Sequence, residues 1–295
     1  MIEEKFTSNK ELYLLDASSY IYRAFHALPK FTTKKGFPTG AIYGFAKMLL
    51  SLLEKKSVKY MAVCFDSKAP TFRHKQFSDY KKNRPSMPDD LCLQLPKINQ
   101  IIDAFGIKCS RMDGYEADDI LATLAWKFKK EFDKILIITS DKDMLQIVSD
   151  KINVLNSSQK ENILNPEAVK EKIGVYPEKI PDLLALIGDS VDNIPGVSGI
   201  GKKTAKVLLD EFGFLEDVVA STDKIKNKKI SESLKLNSSL ALNNKKLILL
   251  DKNVPIEVDA QELEVKTPDW SSLREIFEEL QFKKFAKEFT PTLFS

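Results

Sequence analysis

The chain has 295 residues, of which 43% are hydrophobic and 29% are charged, and its formal net charge of +3 is typical of a globular protein. We expect no membrane-spanning segment and no signal peptide, because no apolar run is long enough and the N-terminus lacks the pattern. The three cysteines, Cys64, Cys92 and Cys109, lack metal-site spacing, so we expect buried free thiols in a reducing cytosol.

Short β-like runs alternate with helix-like segments in the first half of the chain. Continuous apolar strands that alternate with helices predict an α/β fold whose mostly parallel sheet is covered on both faces. The predicted strands are 11–15, 59–65, 134–139 and 152–155, and the predicted helices are 40–53 and 116–130.

Helical segments dominate the second half of the chain, where the β-like runs stop. We therefore place a soft domain boundary near residue 174, with an α/β domain at 1–173 and a smaller helical module at 174–295. The predicted helices of this module are 178–187, 200–212, a lysine-rich stretch at 223–247, and 270–288.

Acidic residues follow the predicted strands and begin one of the predicted helices. In a parallel sheet such strand ends converge, and so many carboxylates repel one another unless cations lie between them. Oxygen ligands suit Mg²⁺ or Mn²⁺. The candidate ligands include no His and no Cys, which argues against zinc. Taken singly, each acid is also explained as a helix cap, including the pair Asp113 and Glu116. The candidate ligands are Asp16, Asp66, Glu116, Asp118, Asp119, Asp141, Asp143, Asp189 and Asp192.

A basic stretch with interleaved aromatic residues occupies positions 72–84. A solvated helix face is the alternative, but beside an acidic metal site such a segment suits a polyanion, with cations on phosphates and aromatic rings on bases. The candidate contacts here and after the first aspartate are Tyr22, Arg23, Arg73, Lys75, Lys81, Lys82 and Arg84.

The segment GVSGIGKKTAK (196–206) approaches a nucleotide-binding loop, but Lys203 stands where that loop needs a hydroxyl. A nucleotide loop also follows a strand, whereas the residues before this one have helical spacing. We therefore favour a helix-turn-helix whose glycines, amides and lysines bind duplex phosphates, with a plain helical corner as the alternative. The candidate DNA-binding residues are Gly196, Gly199, Gly201, Lys202, Lys203 and Lys206.

Taken in order, these motifs closely resemble the 5′-nuclease (5′–3′ exonuclease, flap endonuclease) domain found at the N-terminus of bacterial DNA polymerase I and in free-standing relatives. The likeness covers nearly the whole chain, and Val191 and Ser198 are its small departures. It runs through YLLDASSYIYRAFHALP, FDSKAPTFRHKQFSDYKKNRPSMPDDL, GYEADDILATLA, ITSDKDMLQIV, GDSVDNIPGVSGIGKKTA and PDW…LREIFEELQFKKF.

The resemblance implies a PIN-like, mostly parallel central sheet flanked by helices, with a basic helical arch at about 70–95 and a helix-hairpin-helix at about 178–212. It implies that the nine acids bind metal, that Lys81 and Arg84 are catalytic, and that Arg73 and Arg23 contact phosphates. The implied cofactors are Mg²⁺, with Mn²⁺ as a substitute, and K⁺ at the hairpin.

The implied function is a structure-specific 5′–3′ exonuclease and 5′-flap endonuclease that uses two metal ions to remove flaps and RNA primers in replication and repair. Its partners would be DNA with 5′ flaps, nicks or 5′ ends, and a DNA polymerase to which it is joined or with which it works. We expect a monomer in the bacterial cytoplasm, associated with the nucleoid and not with a membrane. The alternatives are a non-catalytic junction-binding module and a PIN-like ribonuclease.

Overall fold

A six-stranded sheet forms the centre of the computed structural model, which describes residues 10–56, 58–156 and 162–288. Its strands are β1 (Glu11–Asp16), β2 (Tyr60–Cys64), β3 (Lys108–Ser110), β4 (Lys134–Ile138), β5 (Ile152–Asn156) and β6 (Asn162–Leu164). The strand order is β3-β2-β1-β4-β5-β6, and every neighbouring pair is parallel except β5 and β6. The predicted mostly parallel α/β sheet is therefore confirmed.

Helices cover both faces of this sheet because its strands are apolar on both sides. Leu12 and Leu14 of β1 belong to one buried core, whereas Tyr13 and Leu15 belong to the other, as the two-residue period of a strand requires. The helices of the first half are α1 (Ala17–Ala27), α2 (Gly40–Lys56), α3 (Phe72–Gln76), α4 (Asp89–Cys92), α5 (Leu95–Ala104) and α6 (Ala117–Phe128).

The second half of the described chain is helical and shares a core with α6. Leu186 and Leu234 of this half share a buried cluster with Leu14 of β1 and Leu121 of α6, so this part packs on the α6 side of the sheet. The last two helices of the helical module instead belong to the other buried cluster, through Leu273 and Phe285. Its helices are α7 (Pro166–Ile173), α8 (Ile180–Ile187), α9 (Lys202–Phe212), α10 (Leu215–Ala220), α11 (Lys228–Ile248), α12 (Trp270–Glu279) and α13 (Lys283–Glu288).

Several details differ from the sequence predictions. The predicted arch at about 70–95 contains two short helices, α3 and α4, joined by turns. Cys64 is buried as predicted, but Cys92 and Cys109 are exposed, so the expectation of three buried thiols was wrong. The boundary near residue 174 stays a prediction. Among the described residues, no helix has the length and apolar character needed to cross a membrane.

Candidate active site

The first group of acids lies where β1, β2 and β4 end. Asp16 is the last residue of β1 and is only 5% exposed. Its carboxylate accepts hydrogen bonds from the Ser19 backbone N–H at 3.0 Å and from the Thr139 hydroxyl at 2.7 Å. Burial raises the pKa of Asp16 to about 7 despite these bonds, and the charges of Asp66 and Asp141 act in the same direction.

Asp66 and Asp118 bring this group to the start of α6. Asp66 follows β2 and accepts the backbone N–H of Ala117 at 2.9 Å, which fixes the first residue of the helix. Burial raises the pKa of Asp118 well above its ordinary value, and Asp141 and Asp16 raise it further. The structure therefore brings four of the predicted ligands into one electrostatic group.

A second group is formed by acids that follow β4 and by acids in the loop after α8. Burial raises the pKa of Asp143 to about 7, and the carboxylates of Asp141 and Asp189 add to this shift. The Oδ1 atom of Asp143 is buried and has no hydrogen-bond partner among the residues that the structure describes. Lys142 Nζ lies 2.7 Å from Asp189 Oδ2 and places a positive charge beside this group. A buried carboxylate oxygen without a donor is a position that favours a cation.

The loop that carries Asp189 and Asp192 has a defined conformation. Asp189 and Ile194 exchange two backbone hydrogen bonds of 2.8 Å, so the residues between them form a tight turn. Asn193 has a φ of +57°, which asparagine tolerates better than most residues. Its side-chain amide donates to the Asp79 carbonyl at 2.7 Å and thereby attaches the turn to the basic segment.

The end of the basic segment contacts the acids directly through three side chains. The Tyr80 hydroxyl lies 3.1 Å from Glu116 Oε2 and 3.0 Å from Asp192 Oδ2. Lys81 Nζ lies 2.7 Å from Glu116 Oε1, and Arg84 Nη2 lies 2.6 Å from Asp192 Oδ1. Burial lowers the pKa of Lys81, but these two carboxylates raise it above its ordinary value, so this lysine remains charged.

Arg73 and Asp119 do not have the predicted roles. Arg73 is 1% exposed and Asp119 is 0% exposed, and the guanidinium binds both carboxylate oxygens at 2.7 and 2.8 Å. Asp119 also accepts the backbone N–H groups of Glu116 at 3.2 Å and Asp251 at 2.9 Å. Burial of the Arg73 side chain does not fit the expectation that it contacts DNA phosphates. Asp119 likewise does not fit as a metal ligand, because protein donors already occupy both of its oxygens.

The acids at the start of α6 are only partly explained by helix capping. Glu116 is the N-cap residue of α6, and its backbone N–H donates to the carboxylate of Asp119 in the first turn. Asp113 instead accepts a hydrogen bond from the Ser67 hydroxyl at 3.2 Å, so the alternative that Asp113 caps this helix is not observed. The side chain of Glu116 faces the basic segment.

The acids and the chain's own cations together define what the site can bind. Within the described ranges of the chain, no three His, Cys, Asp or Glu side chains are arranged as a ready set of metal ligands. The side-chain cations on these acids are instead Arg73, Lys81, Arg84 and Lys142. The donor set nevertheless fits a hard divalent cation, because it consists of oxygens and includes the unpartnered Oδ1 of Asp143.

The glycine segment forms a close turn between α8 and α9. Gly188 has a φ of +79°, and a Cβ on Gly196 would lie 2.9 Å from the Gly188 nitrogen and still closer to the Ile187 carbonyl. Only glycine allows the two backbones to approach in this way. Gly199 has a φ of +76°, and Gly201 immediately precedes the first residue of α9. The sequence interpretation of helix, turn and helix thus matches the observed elements.

The lysines of this segment differ in exposure. Lys202 and Lys203 are exposed in the first turn of α9, where free backbone N–H groups favour an anion. Lys206 is half-buried and lies against Gly174. Lys202 and Lys203 are therefore better placed than Lys206 to bind a phosphate.

The remaining candidate contacts lie on α1, on α3 and in the turn that follows α3. Tyr22 and Arg23 lie half-buried on α1, and Lys75 is exposed on α3. Lys82 is exposed and lies 3.0 Å from Asp79. Their contacts with DNA stay predictions.

Sequence reasoning missed three residues that organise this site. Tyr80 bridges the two groups of acids, Lys142 neutralises Asp189, and Asn193 joins the acidic turn to the basic segment. Each stands beside a predicted residue in the sequence, and that adjacency is the only sequence signal. Their roles depend on contacts between distant segments.

Two family models match the chain in succession. One, described as "5'-3' exonuclease, N-terminal resolvase-like domain", matches residues 11–174, and the other, "5'-3' exonuclease, C-terminal SAM fold", matches residues 175–271. The chain is 43% identical over 279 residues to the 5'-3' exonuclease of Aquifex aeolicus, with 95% of each chain covered. It is 40% identical over 282 residues to DNA polymerase I of Caldicellulosiruptor bescii, covering 94% of this chain but only 33% of that protein.

Solved structures with low sequence identity share the fold. The T5 5'-exonuclease with bound divalent metal ions (zinc) has a TM-score of 0.70 at 21% identity and covers 95% of this chain and 98% of that chain. The catalytic core of Rad2 in complex with DNA substrate has a TM-score of 0.65 at 18% identity and covers 97% and 92%. On the family models and the close relatives, the chain belongs to the 5'-3' exonuclease family.

Proposed function

We propose that the chain is a divalent-metal-dependent phosphodiesterase that cuts DNA at 5′ flaps and 5′ ends. The observation that carries this proposal is the row of acids at one edge of the sheet, which includes the unpartnered Oδ1 of Asp143. These acids lie beside a helix-turn-helix that presents exposed lysines. An acidic edge suits metal-assisted hydrolysis, and an exposed helix N-terminus suits a duplex phosphate. The names of the relatives support the same activity.

The ligands of the proposed metal ions divide into two groups. One ion would be held by Asp16, Asp66, Asp118 and Glu116. The other ion would be held by Asp143, Asp189 and Asp192, with Asp141 between the two ions. We propose that the ions are Mg²⁺, with Mn²⁺ as a substitute. When bound, they would lower the pKa of the attacking water and neutralise the charge of the phosphate. T5 exonuclease structures of the same fold have bound metal ions, zinc in one of them, which is consistent with the use of a divalent metal.

Lys81 and Arg84 are the proposed catalytic side chains. Both reach the acids from the basic segment, and Lys81 keeps its charge because its pKa is raised. They would stabilise the negative charge that develops on the scissile phosphate, an effect typically of about 3–4 kcal/mol for one such donor.

The helix-turn-helix would hold the duplex while the 5′ end enters beneath the basic segment. Lys202 and Lys203 would contact phosphates of the duplex, and K⁺ would bind at the turn. The DNA polymerase I relatives carry the matching region within about a third of their length, which supports cooperation with a polymerase during flap and primer removal. We propose that the chain acts as a monomer.

Cleavage of a labelled 5′-flap duplex in the presence of Mg²⁺ tests this function. The wild-type chain is expected to release 5′-phosphorylated products, and Asp141→Ala is expected to abolish cleavage with little loss of binding. Binding without cleavage by the wild-type chain would instead indicate a junction-binding module. Preference for an RNA flap over a DNA flap would indicate a PIN-like ribonuclease.

A further inference from the structure

Arg73 and Asp119 together join three separate segments of the chain. Arg73 belongs to α3 in the basic segment, and Asp119 belongs to the first turn of α6, beside the acids. Arg73 also donates from Nε to the Leu247 carbonyl at 2.7 Å and from Nη2 to the Leu249 carbonyl at 2.9 Å. These two carbonyls lie at the C-terminal end of α11. The ion pair therefore ties α11 to the acidic edge.

The helix α11 also supports the turn between α8 and α9. The Asn244 side chain donates to the Pro195 carbonyl at 2.6 Å, and the Ser233 hydroxyl donates to the Ser198 carbonyl at 2.6 Å. Both carbonyls belong to the segment that leads into the proposed duplex-binding lysines. The backbone is non-helical at Asn237 inside α11, so Ser233 lies before this kink and Asn244 lies after it. The part of α11 after the kink contacts both the duplex-binding turn, through Asn244, and the Arg73 guanidinium.

The hydrogen-bonding capacity of the pair is used inside the protein. Asp119 accepts two bonds from the guanidinium and two from backbone N–H groups, which fills the usual capacity of a carboxylate. Arg73 uses its remaining contacts on Glu116 at 3.4 Å and on the two carbonyls of α11. Neither side chain has room for a metal ion or a DNA phosphate.

We propose that Arg73 and Asp119 form a positioning pair that fixes the spacing between the duplex-binding turn and the metal-binding acids, and so determines which phosphate is cut. This inference rests on the proposed function. The geometry matters because a displacement of about 1 Å at a reacting centre lowers a rate by roughly a hundredfold. A shift of α11 relative to α6 would place a neighbouring phosphate at the acids.

The product distribution from a 5′-flap duplex of defined sequence measures this spacing. Arg73→Lys keeps the positive charge but loses the two-point contact with Asp119 and the fixed contacts with α11. Asp119→Asn keeps the size of the side chain. Both are expected to lower kcat roughly a hundredfold and to spread cleavage over neighbouring phosphates. Gln76→Ala, at the exposed end of α3, is the matched control and should keep the wild-type position. Circular dichroism shows that each variant is folded.

A double-variant cycle separates a pair from two independent contacts. For this cycle Arg73→Gln is also measured alone. The double variant Arg73→Gln with Asp119→Asn should be no slower than the slower of its two single variants, because both substitutions remove one shared interaction. Asp119→Asn should bind as many Mn²⁺ ions as the wild type in a titration without DNA, whereas Asp118→Asn should bind fewer.

Three results would overturn the inference: multiplied rate losses in the double variant, a lost Mn²⁺ ion in Asp119→Asn, or an unchanged cleavage position in both single variants. Absence of flap cleavage by the wild-type chain would instead refute the proposed function. The two failures are therefore distinguishable.

Discussion

Replacing Asp16 by asparagine is expected to stabilise the metal-free folded chain at high pH while abolishing cleavage. Burial raises the pKa of Asp16 from 3.8 to about 7, so the folded chain binds this proton more tightly than the unfolded chain. The stability from this proton is fully present below pH of about 4 and is lost as the pH rises through about 7. A shift of about three pKa units corresponds to about 4 kcal/mol.

Asparagine removes the free-energy cost of ionising a buried carboxylate at high pH, but it does not replace all of the hydrogen bonds of that carboxylate. The two oxygens of Asp16 accept from Ser19 and Thr139, and an amide offers only one oxygen. Loss of one such hydrogen bond costs about 1 kcal/mol, so the net gain at high pH is about 3 kcal/mol.

Urea unfolding with EDTA, at about pH 4 and about pH 8, measures this difference in the free energy of unfolding. Asp16→Asn should be more stable than the wild type at the higher pH only. Asp150→Asn, which removes one carboxylate at an exposed position, is the matched control. An equal effect of Asp16→Asn at both pH values, or no gain at the higher one, would refute the reasoning, because Asp16 would then ionise in the folded chain without a penalty.

Three further variants test the separate roles proposed for the basic segment in catalysis and for the turn in DNA binding. Lys81→Met is expected to lower the single-turnover cleavage rate by roughly 10²–10³-fold with little change in DNA affinity, and a matching loss of affinity would contradict its catalytic role. Lys202→Ala is expected to weaken binding and to reduce the slope of log K against log salt by about 1, measured by fluorescence anisotropy. An unchanged slope would show that it makes no phosphate contact. Gly196→Ala is expected to lose DNA binding but to keep Mn²⁺ binding, because the added Cβ collides with the Ile187 carbonyl. Wild-type affinity in this variant would show that the turn does not hold the duplex.

The sheet and the position of its acidic edge were predictable from local sequence. Apolar runs that end at Asp16, Asp66 and Asp141 specify strands and their direction, and parallel packing then places the acids at one edge. The strands β3 and β6 were missed because each has only three residues, too short to show an alternating pattern.

The partners of the charged residues were not predictable in the same way. Arg73 stands in a basic, aromatic segment that is typical of a nucleic-acid surface, yet it is buried against a residue 46 positions away and a carbonyl 174 positions away. Tyr80 likewise contacts Asp192, which is 112 positions away. Local pattern indicates which side chains are charged, but only the packing of distant segments decides which charges are buried together.

The basic segment and the acids therefore form one electrostatic unit. Lys81 and Arg84 neutralise Glu116 and Asp192 in this structure, and the same two cations are the ones proposed to contact a phosphate. A phosphate and divalent ions bring charges of both signs, so each can replace one partner of these ion pairs without leaving a buried charge unpaired. Asp143, whose Oδ1 has no such partner, has the most to gain from a bound cation. The ion pairs of the basic segment and Lys142 thus explain how so many acids are held at one edge of the sheet.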